Sequence, residues 1–152
     1  MKYLLVAVLA LLIVSTTAVR YSLFLRDWNF TLNSSSTSYP AKIPSTLSLD
    51  LIENRLVKAD PYYRSNFLDF YAFESTSATY TTHFVVPTAY LSSKYQTLTF
   101  EGLDTHCEVL LNNVSILKAD NMFRRYEVNV KFKASNELVV KFKDNVAHDL
   151  QK

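Results

Sequence analysis

The chain has 152 residues, a length that suits one domain and not the several of a large enzyme. A hydrophobic content of 49% supports a packed core and excludes wholesale disorder. The net charge is +2 and the basic residues are scattered, so the sequence excludes the basic footprint of a nucleic-acid-binding protein.

Residues 1–18 have the features of a secretory signal peptide. Lys2 supplies a positive start, residues 4–14 form an unbroken apolar run, and Thr16 and Ala18 place small residues before a cleavage site. The run is shorter than the roughly 20 apolar residues that a membrane-spanning helix needs. We therefore predict a cleaved leader, a domain over residues 19–152 and no membrane anchor once the leader is removed.

Three Asn-x-Ser/Thr sequons agree with passage through the secretory pathway, and we predict N-glycosylation at Asn29, Asn33 and Asn113. The alternative is chance occurrence in a chain rich in Ser and Thr. Cys107 is the single cysteine, so an intrachain disulfide is excluded. Its place in an apolar run predicts a buried, inert thiol.

The first predicted elements are a strand, a loop and a helix. The strand lies within residues 21–31 with Trp28 as its core anchor, and the polar residues 33–38 predict an exposed loop. One short helix follows, capped by Ser45, with three apolar side chains on one face: Leu49, Ile52 and Leu56. It is the one helix that the sequence predicts.

The remainder is predicted to be short strands, at residues 80–86, 95–100, 108–111, 126–133 and 138–142. Asn112 and Asn113 predict a tight turn, because Asn tolerates positive φ best after Gly and the chain has one Gly. We expect the last two strands to form a hairpin. This spacing predicts an all-β fold, an antiparallel β-sandwich or jelly roll with one short helix.

Three stretches carry a family resemblance: residues 39–64 (YPAKIPSTLSLDLIENRLVKADPYYR), 101–113 (EGLDTHCEVLLNN) and 119–130 (ADNMFRRYEVNV). In this order they closely resemble the N-terminal domain of β-mannosidases in glycoside hydrolase family 2. The resemblance implies a galactose-binding-like jelly roll that is an accessory to catalysis. It also implies a lysosomal or secreted parent enzyme that hydrolyses terminal, non-reducing β-D-mannose from oligosaccharides without a cofactor.

The resemblance also implies a domain that is incomplete at its C-terminus. The family's domain continues through further strands and a Trp-Asp-Trp motif, whereas Trp28 is the only tryptophan here. Retaining glycosidases need two carboxyl groups about 5–5.5 Å apart, and in this family both come from a downstream barrel. The six glutamates sit in no matching motif, so we predict no catalytic residue: Glu53, Glu74, Glu101, Glu108, Glu127 and Glu137.

Residues 60–66 are the strongest candidate for a sugar-pocket loop. Asp60 and Asn66 can hydrogen-bond sugar hydroxyls, Tyr62 and Tyr63 can stack on apolar sugar faces, and Arg64 completes the cluster. The alternative is that the tyrosines pack under the loop and Arg64 pairs with a nearby acid.

Other chemistry finds no support in the sequence. The three histidines are isolated, so no metal site is predicted, and a single glycine excludes phosphate-cradling loops. Three positions depart from the family pattern, at Ser48, Phe67 and Ala78, where a histidine, an acid and a tryptophan are usual.

Three functions remain open. The first is an accessory domain whose partner is the missing catalytic domain. The second is a stand-alone carbohydrate-binding module whose partner is an oligosaccharide. The third is an inactive fragment that exposes apolar surface.

Overall fold

The computed structural model describes residues 21–32, 35–58, 60–74 and 76–143. The predicted leader, the sequon at Asn33 and the polar tail from residue 144 lie outside these ranges. Within them, no helix combines the length and apolar character needed to cross a membrane.

Strands dominate the described residues. In chain order the elements are β1 (Asp27–Leu32), β2 (Ser38–Lys42), α1 (Leu47–Glu53), α2 (Phe67–Glu74), β3 (Ala78–Val85), α3 (Thr88–Leu91), β4 (Thr97–Phe100), β5 (Cys107–Leu111), β6 (Val114–Ala119), β7 (Tyr126–Asn129) and β8 (Ser135–Phe142).

The strands form two antiparallel sheets. The larger has the order β2-β1-β3-β8-β5-β6, and the smaller pairs β4 with β7. Leu98 of β4 and Tyr126 of β7 belong to the same buried cluster as Val109 of β5, so the two sheets share one core. The predicted antiparallel β-sandwich is confirmed.

The core follows the period-two alternation of the strands. Phe30 and Val109 are fully buried and Leu138 is nearly so, each between more exposed neighbours. Trp28 is buried as predicted, and its Nε1 donates to the carbonyl of Leu25 at 3.0 Å. Removing these side chains from water is the main source of the domain's stability.

The predicted hairpin between the last two strands is wrong. β8 lies between β3 and β5, where Val140 faces both Tyr80 and Val109, whereas β7 pairs with β4 in the other sheet. The connection crosses between the sheets, and its Phe132 packs against the core without belonging to a strand. The alternation of apolar residues indicates which face of a strand is buried but not which strand lies beside it, and for this reason the predicted pairing was wrong.

The predicted helix exists as α1, but its cap and its buried face differ from the prediction. Thr46, not Ser45, is the cap, and its Oγ1 accepts from the backbone N–H of Leu49. Leu49 is 53% exposed, whereas Asp50 and Leu51 are each 1% exposed. A pattern of apolar residues cannot predict that an acidic side chain is buried. The buried face of α1 therefore contains Asp50 and Leu51, whereas the predicted face contained Leu49.

Two further helices and two strands, β2 and β6, were not predicted. The apolar residues of α2 lie all around it, and α3 is a single turn, so neither has a readable helical period. β2 contains Pro40, which is tolerated because β2 is an edge strand.

The Asn112-Asn113 turn is confirmed, with φ of 51° and 66°. The Asn112 amide also links this turn to the start of β8: its Nδ2 donates to Asn136 Oδ1 at 3.0 Å. Asn136 is 2% exposed, and it both accepts from the N–H of Lys133 and donates to its carbonyl. This pair of asparagines joins the end of β5 to the start of β8 through hydrogen bonds from both side-chain amides.

Candidate functional site

The loop of residues 60–66 lies between α1 and α2, and its own polar groups hold its shape. Asp60 Oδ1 accepts from the backbone N–H of Tyr62 at 2.9 Å, and Asn66 Nδ2 donates to the Asp60 carbonyl at 2.7 Å. The N–H of Asn66 donates to the carbonyl of Tyr63 at 3.2 Å. Asp60 and Asn66 therefore organise the loop, which sets where its aromatic side chains stand.

The two tyrosines face solvent. Tyr62 is 94% exposed and Tyr63 is 56% exposed, so neither is packed under the loop. Arg64, whose φ is 54°, places its guanidinium 5.2 Å from the centre of the Tyr63 ring, a cation–π contact. Tyr62 is thus the side chain of this loop that is free to meet a ligand or a partner.

Helix α2 continues the exposed apolar surface. Phe67, Leu68 and Tyr71 are 45%, 55% and 54% exposed, and the rings of Phe67 and Tyr71 meet edge to face with centroids 5.6 Å apart. An ion pair from Lys58 Nζ to Asp69 Oδ2, at 3.6 Å, ties α2 to the segment before the loop. We call Tyr62, Tyr63, Phe67, Leu68 and Tyr71 the aromatic loop–helix surface. Exposed apolar side chains grouped in this way make it a candidate interaction surface.

The sequence indicated this surface only in part. The cluster at residues 60–66 was recognised, but α2 was not predicted, and its exposed face was missed with it. The sequence FLDFYAF is rich in apolar residues, which could have marked this segment. Because these residues lack a 3.6-residue period, they do not indicate a helix or which side of it is exposed.

The described glutamates form no enclosed pair of carboxyl groups. Glu101 and Glu127 share Arg125 as an ion-pair partner, at 3.6 Å and 3.0 Å, but all three side chains are more than half exposed. The others contact separate partners on the surface: Glu53 contacts Lys42, Glu108 contacts Ser115, and Glu137 contacts His83. Among the residues described, no group of three His, Cys, Asp or Glu side chains could hold a metal ion.

The most unusual buried polar group is Asp50, which the sequence did not single out. Its Oδ1 accepts from Ser45 Oγ at 2.9 Å and its Oδ2 accepts from the Tyr80 hydroxyl at 2.8 Å. Burial, and then the hydrogen bond to Asp50, raise the pKa of the Tyr80 phenol far above its ordinary value. These contacts fasten α1 onto the large sheet, so the group has a structural role.

Two of the three sequons lie on described surface. Asn29 projects from β1 between the buried Trp28 and Phe30, and Asn113 lies in the turn between β5 and β6, where it is exposed. Both positions leave the side-chain amide accessible. Cys107 is 3% exposed, as predicted, and burial raises the pKa of its thiol to about 11.

The sandwich and the sequence together define a class of domain. Residues 28–152 match the family described as glycosyl hydrolase 2 galactose-binding domain-like. The chain belongs to this family, in agreement with the resemblance found in the sequence.

Within that class, the chain is similar to β-mannosidases. It is 37% identical over 128 residues to the β-mannosidase of Bos taurus, and this match covers 83% of the chain and 14% of the relative. β-Mannosidase A of Emericella nidulans is 36% identical over 119 residues, covering 76% of the chain and 12% of the relative. The chain corresponds to the N-terminal region of these enzymes and spans about one seventh of the bovine relative's length.

A solved structure gives the same assignment. The β-D-mannosidase from Dictyoglomus thermophilum superposes with a TM-score of 0.79 at 32% identity, covering 84% of this chain and 16% of that one. The exo-chitosanase from Amycolatopsis orientalis, with a TM-score of 0.67 at 19% identity, shares the fold alone. The chain therefore matches the N-terminal domain of glycoside hydrolase family 2 β-mannosidases and covers only that part of them.

Proposed function

We propose that this chain serves as the galactose-binding-like accessory domain of a β-mannosidase that removes terminal, non-reducing β-D-mannose from oligosaccharides, a step of glycoprotein breakdown. The observation that carries the proposal is the match to the Dictyoglomus enzyme, with a TM-score of 0.79 at 32% identity. No cofactor enters this chemistry.

The proposal assigns no catalytic residue to the chain. Hydrolysis with retention needs an acid and a nucleophile about 5–5.5 Å apart beside the scissile bond. Arg125 lies between Glu101 and Glu127 on an exposed surface, which suits a surface ion pair and not a cleft that excludes water. The catalytic carboxyl groups would come from a catalytic domain, which is the proposed partner.

The aromatic loop–helix surface is the proposed contact with that partner. Phe67, Leu68 and Tyr71 each still expose about half of their surface, so docking would remove further apolar area from water, which is favourable. Tyr62, at 94% exposure, has the most surface available and would contact the catalytic domain beside its sugar-binding pocket. Asp60 and Asn66 would act by holding the shape of the loop. Tyr63 and Arg64 would contribute through their mutual cation–π contact.

A chimera tests the accessory role. Replacing the matching N-terminal region of the Bos taurus β-mannosidase by this domain should give a folded enzyme that hydrolyses an aryl β-mannoside. Leu68→Ser in the chimera should lower activity or stability by weakening docking, whereas Val114→Ser, at a comparably exposed apolar site on β6, should not. A folded chimera without activity would contradict the proposal, and so would hydrolysis by the 152-residue chain alone.

The exposure of Tyr62 also favours a second candidate, a stand-alone carbohydrate-binding module. In that case the isolated chain would bind mannose or manno-oligosaccharides at millimolar concentration and Tyr62→Ala would abolish binding. The third candidate, an inactive fragment, predicts aggregation through the same surface, which light scattering would detect. A monodisperse chain that unfolds cooperatively would argue against it.

We also propose that residues 1–18 direct the chain into the secretory pathway, for a lysosomal or secreted location, with glycans at Asn29, Asn33 and Asn113. The accessible positions of Asn29 and Asn113 support this. Expression of the whole chain in animal cells should give a mass that falls on treatment with a peptide N-glycosidase. Asn29→Gln and Asn113→Gln should each remove one glycan, and an untreated mass equal to that of the bare chain would refute the proposal.

A further inference from the structure

A shallow depression of about 380 Å³ lies at the end of the small sheet. None of its residues belongs to the aromatic loop–helix surface. Residues 94–96 line one side and residues 129–131 the other. Its lining side chains include two lysines and a tyrosine, and no acid. Ligand sites in proteins commonly have volumes of about 300–1,000 Å³, so this one would hold one or two sugar rings.

The floor of the depression is rigid because Gln96 is buried and fully hydrogen-bonded. Gln96 is 7% exposed, and its Nε2 donates to three backbone carbonyls, those of Tyr90, Leu91 and Ser93. Its Oε1 accepts from the N–H of Phe132 at 2.8 Å, and its own carbonyl accepts from the N–H of Val130 at 2.9 Å. One side chain thus fixes both sides of the depression to each other.

The exposed groups combine positive charge with an aromatic ring. Tyr95 is 76% exposed, with Lys94 Nζ 5.1 Å from its ring centre. From the opposite side, Lys131 Nζ reaches across to the carbonyl of Ser93 at 3.2 Å. Thr97 Oγ1 donates to Asn129 Oδ1 at 3.2 Å, which leaves the amide nitrogen of Asn129 as the donor for a ligand.

We propose that this depression binds an anionic saccharide, a pyranose ring that carries a carboxylate. Lys94 and Lys131 would form charge-assisted hydrogen bonds with the carboxylate, which are stronger than neutral ones. Tyr95 would contact the apolar face of the ring, and Asn129 would donate to a hydroxyl. The inference rests on residues outside the aromatic loop–helix surface and does not depend on the β-mannosidase function.

Titration of the isotope-labelled chain, followed by NMR, tests the site with three probes. D-Glucuronate has both ring and charge, D-glucose has the ring alone, and acetate has the charge alone. We expect glucuronate to shift the amide signals of residues 94–96 and 129–131 with a dissociation constant of about 1 mM, and the other two probes to bind at least about tenfold more weakly. Added salt should weaken glucuronate binding.

Variants show whether glucuronate binds at this depression or is only attracted to positive charge on the surface. Lys131→Gln should weaken glucuronate binding by about tenfold or more, the loss expected for a charge-assisted contact. Tyr95→Ala should weaken it by a similar factor, because it removes the aromatic contact with the sugar ring. Lys133→Gln removes the same charge two residues away, outside the depression, and should leave binding unchanged. Equal binding of acetate and glucuronate, no shifts at these residues, or equal effects of Lys131→Gln and Lys133→Gln would each overturn the proposal.

Discussion

Tyr80→Phe is the sharpest test of how α1 is held to the large sheet. The substitution removes one hydroxyl and keeps the ring, which packs between Phe30 and Phe142 with centroids 5.7 Å and 5.8 Å away. Asp50 Oδ2, on a residue that is 1% exposed, then loses the donor that it has at 2.8 Å. The effect therefore isolates one buried hydrogen bond to a carboxylate.

The expected loss is about 2–3 kcal/mol of unfolding free energy, the value typical for a hydrogen bond to a charged group that is left unsatisfied. For a small domain with a urea m-value of about 1–3 kcal/mol/M, the midpoint falls by roughly 1 M. Urea unfolding of the chain, monitored by circular dichroism, measures the change directly.

Tyr62→Phe is the matched control, because that hydroxyl belongs to a side chain that is 94% exposed. It should change the free energy of unfolding by less than about 0.5 kcal/mol, as surface substitutions usually do. A double-mutant cycle with Asp50→Asn should show coupling between residues 50 and 80. A loss for Tyr80→Phe no larger than that of the control would refute the role given to this contact.

The other predictions concern buried polar groups and the thiol. Asn136→Ala should cost about 3 kcal/mol, since it strands the Asn112 amide and the N–H of Lys133, and a loss under about 1 kcal/mol would contradict this. Gln96→Ala should cost about 2 kcal/mol and speed hydrogen exchange along residues 129–132. The folded pKa of Cys107 is raised from 9.0 to about 11, so its contribution to stability is complete below pH 9 and is lost as pH rises to 11. Unfolding free energies measured from pH 8 to 11 should fall less steeply in Cys107→Ala.

The sequence predicted the strands best where alternation was regular and a turn was marked. Trp28, the β5 strand and the Asn112-Asn113 turn were all found in place, because burial period and positive φ are local properties of the chain. The sandwich followed from their spacing, and the family followed from three ordered motifs.

The candidate site was predicted less fully. Asp60, Tyr62, Tyr63, Arg64 and Asn66 were named from composition, and the structure adds that two of them hold the loop while Tyr62 faces solvent. The contribution of α2 was missed because an all-round apolar helix looks like core in a sequence. Whether such a helix is buried depends on what the rest of the chain places against it.

What the sequence by itself determined is most of the strands, the burial of their alternate residues and the family to which the domain belongs. Only the tertiary structure decided that β7 and β8 belong to different sheets and that Asp50 lies inside. It also decided that the apolar face of α2 is left in water. The physical reason is that side-chain periodicity is set within a strand or helix, whereas pairing, buried acids and exposed apolar faces depend on contacts between residues far apart in the chain.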